Sequence, residues 1–177
     1  MAENITHVKF VDLNKTIQKI IDRTERKYKK TSAKIGHEVL KSMFGAIVED
    51  TPVNDADPSD MGTTKANWQI SKGSPATGVL ADRKPNRTRR NIKVPRSFKQ
   101  LFGHKWFFSN NVPWINFLEF GGYPTSPKRG TWSKSLGRYE IRSQGGFSLQ
   151  APQGMFRKNI ERYSQFVAVA VAKFGNK

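Results

Sequence analysis

The side chains that most often carry catalysis or bind metals are few in this 177-residue sequence and form no recognisable site. The three histidines, His7, His37 and His104, stand in different contexts, and no two of them have the i,i+4 spacing that presents two metal ligands on one helix face. There is no cysteine, which excludes thiolate nucleophiles, disulfides and zinc fingers. We therefore expect structural histidines, no metal site and no cofactor.

Carboxylates are also scarce in most of the chain. Beyond residue 60 the acidic residues are Asp82, Glu119, Glu140 and Glu161, whereas a two-carboxylate hydrolase or a metal-dependent nuclease needs Asp and Glu side chains that converge in one cleft. The acidic cluster within residues 55–60 resembles a calcium loop, but no bidentate Glu follows at the required distance. These observations favour a solvated loop and predict that the chain is not an enzyme.

The charge is the most informative feature of the composition. The chain has 31 Lys and Arg against 14 Asp and Glu, a net charge of +17, and such an excess is typical of proteins that contact nucleic acid, anionic membranes or acidic protein surfaces. Residues 1–60 hold 10 basic and 10 acidic side chains, whereas residues 61–177 hold 21 and 4. All of the excess therefore lies in the C-terminal two thirds.

The densest basic stretch has nine Lys and Arg and no acidic residue between Arg83 and Lys105. Residues 73–99 lack a periodicity that would fill a core, so we predict an extended basic arm there, with a short helix near residues 96–102. Two interpretations stay open: a solvated patch, or a surface that phosphates or acidic protein neutralise. The residues predicted to contact DNA in a lumen or a partner are Arg83, Lys84, Arg87, Arg89, Arg90, Lys93, Arg96, Lys128 and Arg129.

The first element that must position these residues is helical. Apolar residues recur at spacings of three and four from Asp12 to Asp50, which predicts one amphipathic helix or two collinear helices, with a break in the polar, basic stretch 26–34. The residue before a proline avoids the α region, so Thr51-Pro52 predicts the end of this helix. The first element is therefore an N-terminal helical region over residues 12–50.

The remaining elements are shorter, except for the last. Alternation and aromatic content indicate strands, and the aromatic residues of the second strand are assigned to the core rather than to base stacking. The elements predicted are strands at 66–71 and 105–109, a short helix after Pro113, a flexible loop over 121–152 with a short strand at 138–142, and a helix over 153–174 with one apolar face.

This order predicts a single α+β domain over residues 1–177. A small antiparallel sheet would carry the long N-terminal helix and the C-terminal helix on one face, with long basic loops. No run reaches the ~18 apolar residues that span a bilayer, and the N-terminus lacks the order of a signal peptide. We therefore expect a protein that is cytosolic when made, with no membrane partner.

Five short motifs, in order, resemble one protein family. They are Thr51-Pro52-Val53 with Gly62 after it, Ala66-Asn67-Trp68-Gln69, Ser109-Asn110-Asn111-Val112-Pro113-Trp114, Leu118-Glu119-Phe120-Gly121-Gly122, and Ala151-Pro152-Gln153-Gly154-Met155. As a set they resemble the neck or tail-completion proteins of long-tailed bacteriophages, the class of the lambda tail-completion protein Z. The resemblance spans about residues 40–172, most of the chain, with an insertion at 54–61.

The resemblance implies a non-enzymatic virion protein of the head–tail neck that assembles as a ring around the DNA path. A hexamer is favoured over a dodecamer, and the implied neighbours are the head connector, the tail terminator or tail tube, and genomic DNA in the lumen. The alternative is a sequence-independent nucleic-acid-binding protein. The family-motif residues with an expected structural role are Thr51, Pro52, Val53, Gly62, Trp68, Asn110, Asn111, Pro113, Trp114, Glu119, Gly121, Pro152, Gly154 and Met155.

Three of these motifs have specific physical interpretations. Thr51-Pro52 would end the first helix and turn the chain. Asn110 and Asn111 would make side-chain-to-backbone turn bonds. Glu119, a lone acid in a basic region, would pair with an arginine of its own or of a neighbouring subunit.

Overall fold

The protein is a mixed helix and sheet structure, which confirms the predicted α+β class. The computed structural model describes residues 3–53, 62–81, 93–122, 131–133, 138–140, 147 and 151–175. In chain order the elements are α1 (Glu3–Asp50), α2 (Thr63–Ala66), β1 (Gln69–Lys72), α3 (Phe98–Phe102), β2 (Trp106–Ser109), α4 (Ile115–Phe120), β3 (Thr131–Ser133), β4 (Arg138–Glu140), α5 (Phe156–Glu161) and α6 (Tyr163–Phe174).

The first helix is longer than the sequence predicts and has no break. α1 runs over 48 residues, so it is about 72 Å long at ~1.5 Å per residue. It begins at Glu3 rather than at Asp12, and the alternative of one helix is confirmed, whereas a break or turn within residues 26–34 is wrong. Lys and Arg are good helix formers, and an i,i+4 ion pair between Glu25 and Lys29 supports the helix near this stretch.

The first sheet is an antiparallel pair in which Gln69 lies opposite Ser109 and Lys72 lies opposite Trp106. The strand predicted at 66–71 begins three residues later, because the short helix α2 and the turn at Asn67 precede it. The second predicted strand is confirmed. A separate hairpin pairs Thr131 with Glu140; its second strand was predicted in part and its first was not.

The core joins the first sheet to α1 and α5 through stacked aromatic rings. The Phe108 ring of β2 lies between the rings of Phe44, at a centroid distance of 4.2 Å, and Trp68, at 4.8 Å. Phe156 lies 6.3 Å from Trp68 on the α5 side. This confirms the core assignment for Phe108, and it fixes β2 against the C-terminal part of α1.

The predicted C-terminal helix is two helices that meet at Arg162. α6 packs along α1, with Ala170 fully buried between them. The apolar face predicted over 153–174 is packed only in part: Phe156, Val167 and Phe174 are half-buried, whereas Ile160, Tyr163 and Val171 are exposed. No helix among the described residues is long and apolar enough to cross a membrane.

Candidate functional site: the motif junction and the ends of the basic arm

The first motif junction lies where α1 ends. The Thr51 hydroxyl donates to the Ile47 carbonyl oxygen at 2.7 Å and accepts from Trp68 Nε1 at 2.7 Å. Both groups are buried, and an unpaired buried indole N–H would be costly. α1 stops at Asp50, directly before Thr51-Pro52, as predicted. This hydroxyl therefore joins the end of the first helix to the chain that enters the sheet.

The second junction ties α2 to the turn before α4. Trp114 Nε1 donates to Thr64 Oγ1 at 2.7 Å, and Asn110 Nδ2 donates to the Thr64 carbonyl oxygen at 2.7 Å. Asn110 Oδ1 also accepts from Val112 N at 3.3 Å, which confirms its predicted turn bond. The prediction is wrong for Asn111, whose amide donates instead to the distant Ala76 and Gly78 carbonyl oxygens at 2.8 and 3.0 Å.

The third junction is centred on Glu119, which caps the start of α5. Glu119 Oε2 accepts from the backbone N–H groups of Met155 and Phe156, and Oε1 accepts from that of Arg157, all at 2.8 Å. A carboxylate here satisfies N–H groups that a helix start leaves unpaired, and it complements the positive end of the helix dipole.

An arginine of the same chain completes the Glu119 junction. Arg157 Nε lies 3.5 Å from Glu119 Oε1, and an Arg157 guanidinium nitrogen donates to the Glu119 carbonyl oxygen at 2.7 Å. The Glu119 side chain is buried, whereas that of Arg157 is about half exposed. The predicted pairing of Glu119 with an arginine is confirmed, and the arginine belongs to its own subunit.

The Glu119 junction requires a glycine at position 154. Its φ is +75°, and a Cβ at this position would lie 2.6 Å from the Glu119 carbonyl oxygen and 2.9 Å from Glu119 Oε1. Met155, the next residue, is fully buried. The motif Gly154-Met155 therefore needs a glycine for both backbone conformation and space.

The other family-motif residues flank these junctions. Gly62 is buried with φ +84° at the start of α2, and Gly121 is buried with φ +73° at the end of α4. Pro52 and Val53 are half-buried. The remaining two, Pro113 and Pro152, are exposed at turns.

The basic arm is anchored at its N-terminal end. The buried Asn67 accepts from Leu80 N through Oδ1 and donates to the Leu80 carbonyl oxygen at 3.2 Å. Gln69 Nε2 donates to the Gly78 carbonyl oxygen at 2.7 Å, next to the Asn111 contacts. Residues 76–80 are therefore held against β1 by three amide side chains.

The arm is also anchored where it returns. Val94 is buried in the main hydrophobic core, and His37 Nδ1 lies 3.1 Å from the Pro95 carbonyl oxygen. The prediction that residues 73–99 contribute nothing to the core is thus wrong at Val94. His37 has the structural role expected of it.

Two of the nine predicted contact residues are described, and both are exposed. Lys93 and Arg96 flank the buried Val94. The exposed Lys72 and Lys105 lie close together at the end of the first sheet, where Gly73 N donates to the Lys105 carbonyl oxygen at 3.0 Å. The predicted residues outside the described part of the chain are Arg83, Lys84, Arg87, Arg89, Arg90, Lys128 and Arg129, together with the acidic cluster in 55–60.

Four structural residues were not predicted from the sequence. Asn67, Thr64 and Arg157 act at the junctions above, and Asn159 is fully buried. Asn159 Nδ2 donates to Asp50 Oδ2 and to the Met155 carbonyl oxygen, both at 2.8 Å. The signal in the sequence for Asn159 is a polar residue at a position that faces the core. This signal does not identify its partner Asp50, which lies 109 residues away in the sequence. Within the described residues, no group of three or more His, Asp or Glu could hold a metal ion.

One ion pair joins α6 to α1 and makes a pH-dependent contribution to the stability of the fold. Lys173 Nζ lies 2.7 Å from Glu38 Oε1, and this hydrogen bond lowers the pKa of Glu38 below its ordinary value of 4.5, against a smaller opposing effect of burial. A carboxyl with a lowered folded-state pKa stabilises the protein above its unfolded pKa, and this stability is lost as the pH falls through the folded pKa.

We expect Lys173→Met to lower the free energy of unfolding at pH 7, and we expect this effect to decrease as the pH falls through the lowered folded-state pKa of Glu38, since the protonated Glu38 no longer favours the lysine. The measurement is urea unfolding of both proteins at several pH values between 3 and 7. A difference between the two proteins that stays constant over this range would contradict the prediction.

Comparison of the chain with protein-family models, with curated proteins and with solved structures gives no match.

Proposed function

We propose that the protein is a non-enzymatic structural protein of the bacteriophage head–tail neck, which completes the tail and joins it to the head. In this proposal it assembles as a ring, with six copies favoured, around the DNA path between the head connector and the tail terminator or tail tube. It is made in the cytoplasm of the host and incorporated into the virion.

One observation carries the proposal. The motifs that resemble the neck proteins lie between residues 51 and 155 of the sequence, yet their residues contact one another in the folded chain. Thr51 bonds to Trp68 at 2.7 Å, and the Glu119 carboxylate bonds to Met155 N at 2.8 Å. A set of chance tripeptides has no reason to form shared contacts, whereas a set that maintains one fold does.

The positive charge at the return of the arm supports a neighbour that is polyanionic or acidic. Lys93 and Arg96 are exposed at the return of the arm, where Val94 and the Pro95 carbonyl oxygen hold the backbone to the body. The charges of Lys93 and Arg96 therefore lie on a defined side of the molecule. Repeated around a ring, this side would form a positive collar facing DNA or the acidic surface of a neighbouring protein.

A deletion in the phage that encodes the chain tests the proposal. We expect the deletion lysate to contain filled heads and tails that are not joined into infectious particles, and we expect purified protein to restore joining when it is added to the lysate. Electron microscopy and plaque counts measure this. Joined, infectious particles in the deletion lysate would contradict the proposal.

The net charge of +17 favours one second candidate, a protein that binds nucleic acid independently of sequence and acts free in the cell. It predicts binding to duplex DNA that weakens steeply with salt, with a log–log slope of roughly −0.9 per phosphate neutralised. Titration of the purified protein with unrelated duplexes between 50 and 300 mM salt measures this slope. Absence of binding at the lowest salt would exclude the candidate.

A further inference from the structure

The N-terminal part of α1 extends beyond the body of the protein. Residues 15–30 are all exposed, and the first buried residue after them is Ala33. These residues correspond to about 24 Å of helix at ~1.5 Å per residue. Isolated helices are only marginally stable in water, so a projecting helix of this length gains stability when a partner covers it.

This extension carries an exposed apolar stripe. Ile17, Ile20 and Ile21 are 46, 59 and 51% exposed, and their spacing places them on one side of the helix. Three exposed isoleucines on one short stretch mark an interaction surface more strongly than scattered apolar residues do. We refer to these three residues as the stripe.

The body carries an apolar groove between α1, α3 and α6. It is a cleft of about 570 Å³ whose lining includes Tyr28, Ile35, Val39, Phe98, Phe102 and Val167. Phe102 is 57% exposed, and its ring approaches α1 closely at Gly36, where a Cβ would lie 3.0 Å from the ring. We refer to these six residues as the groove.

The stripe and the groove lie on the same side of one helix. Ile17, Ile21, Tyr28, Ile35 and Val39 follow at spacings of four, seven, seven and four, which keep them on one face. Because α1 is a continuous helix, the stripe of one molecule cannot fold back onto its own groove. A stripe that fills a groove must therefore come from another molecule.

We infer that the stripe of one copy of this chain docks in the groove of a second copy. A second copy is the occupant we infer for the groove, because each copy offers both a convex apolar helix and a concave apolar cleft. The area also fits. One half of the lateral surface of residues 15–30, a helix ~24 Å long and ~10 Å wide, is on the order of 400 Å², so a stripe and a groove together supply about the ~800 Å² that each partner contributes to a standard interface.

Because the stripe and the groove share one face of α1, two antiparallel copies can make the contact twice and close into a two-fold dimer. A contact made once is head-to-tail: it leaves a free groove on one copy and a free stripe on the other, and it propagates into a ring when the rotation allows. The inference deepens the proposed function and rests on it for the closure into a ring. The docking contact itself needs only the stripe and the groove.

The charges near the contact determine how self-association changes with salt concentration. Residues 15–30 hold seven basic and two acidic side chains, and Lys29 and Lys99 lie at a shallow extension of the groove. These like charges repel at low ionic strength, whereas salt screens them and leaves the apolar burial intact. Self-association should therefore strengthen with salt, opposite to the salt dependence of binding to a polyanion.

The test is the oligomeric state of the full chain by analytical ultracentrifugation. We expect the wild type to self-associate more strongly at 500 mM than at 50 mM salt. The stripe variant Ile17→Asp/Ile21→Asp and the groove variant Phe102→Asp should each raise the dissociation constant at least about 100-fold. Val169→Asp, at a 64% exposed valine of α6 outside the groove, is the matched control and should assemble as the wild type does.

Mixing the two defective variants gives the sharpest outcome. The stripe variant keeps an intact groove and the groove variant keeps an intact stripe, so an equimolar mixture should form a dimer that grows no further. Circular dichroism verifies that both variants are folded. A wild type that stays monomeric at both salt concentrations, variants that assemble normally, or a mixture that forms no dimer would each overturn the inference.

The test of the docking contact and the deletion test of the proposed neck function can fail independently. A chain that assembles as described but is dispensable for head–tail joining would overturn the proposed function and leave the docking contact standing. A chain that stays monomeric at both salt concentrations, yet restores joining in a deletion lysate, would overturn the docking contact and leave the proposed function standing.

Discussion

Glu119→Gln is expected to lower the free energy of unfolding by about 3 kcal/mol or more. The carboxylate accepts three backbone N–H bonds at the start of α5, all at 2.8 Å, and it is buried beside Arg157. An amide of the same shape turns one acceptor into a donor that faces other donors. The new amide N–H and the backbone N–H group that it faces are then both unpaired, and each buried group left unpaired costs about 1–3 kcal/mol.

The matched control for this substitution is Glu161→Gln, an exposed acid on the same helix. It should change stability by less than about 0.5 kcal/mol, as surface substitutions usually do. Urea unfolding followed by circular dichroism measures both variants. If the two substitutions had equal effects, the Glu119 junction would not be a structural anchor.

Gly154→Ala is expected to destabilise the protein by about 3–5 kcal/mol. Two costs combine at this position. The φ of +75° disfavours any residue with a Cβ by roughly 1–2 kcal/mol. The added Cβ would also lie 2.6 Å from the Glu119 backbone oxygen, so the two segments that the junction joins would have to separate.

Gly73→Ala isolates the first of these costs. Gly73 has φ +85°, but a Cβ there would meet nothing within 4 Å. We therefore expect this control to cost only the roughly 1–2 kcal/mol of backbone strain. Thermal and urea unfolding of the two alanine variants give the difference. Equal losses would mean that the close approach to Glu119 contributes nothing.

The sequence predicted the elements of this fold better than their ends. The periodicity of α1 was clear because one face packs on the body from Ala33 onward. The stretch 26–34 resembled a break because most of its residues are polar and basic, but a helix with good helix formers can project into solvent without a core. The strand boundary at Gln69 was missed because the alternation of Ala66, Trp68 and Ile70 continues across a turn that buries the first two.

The candidate site was predicted in its members and not in its contacts. The resemblance singled out Glu119 and Gly154, and charge reasoning predicted an arginine partner for Glu119. No local pattern indicates that this carboxylate caps a helix start 36 residues further along the chain. The anchors of the basic arm were missed for the same reason, because the bond between Asn67 and Leu80 depends on a turn that composition does not encode.

The excess of positive charge gains a more specific interpretation from these anchors. The exposed Lys93 and Arg96 lie on a backbone that is fixed at Val94 and at the Pro95 carbonyl oxygen. Side chains on a fixed backbone point in a defined direction, which suits a lumen or a docking surface. The projecting helix α1 adds a separate surface, for which we propose contact between copies.

A reconstruction of the neck from intact virions of the encoding phage tests the central claim most directly. The account predicts that this chain forms a closed ring between the head connector and the tail, with the arm that follows Leu80 directed at DNA or at an adjacent ring and with α1 packed on a neighbouring copy. Complete, joined virions whose neck contains no copy of this chain would contradict it.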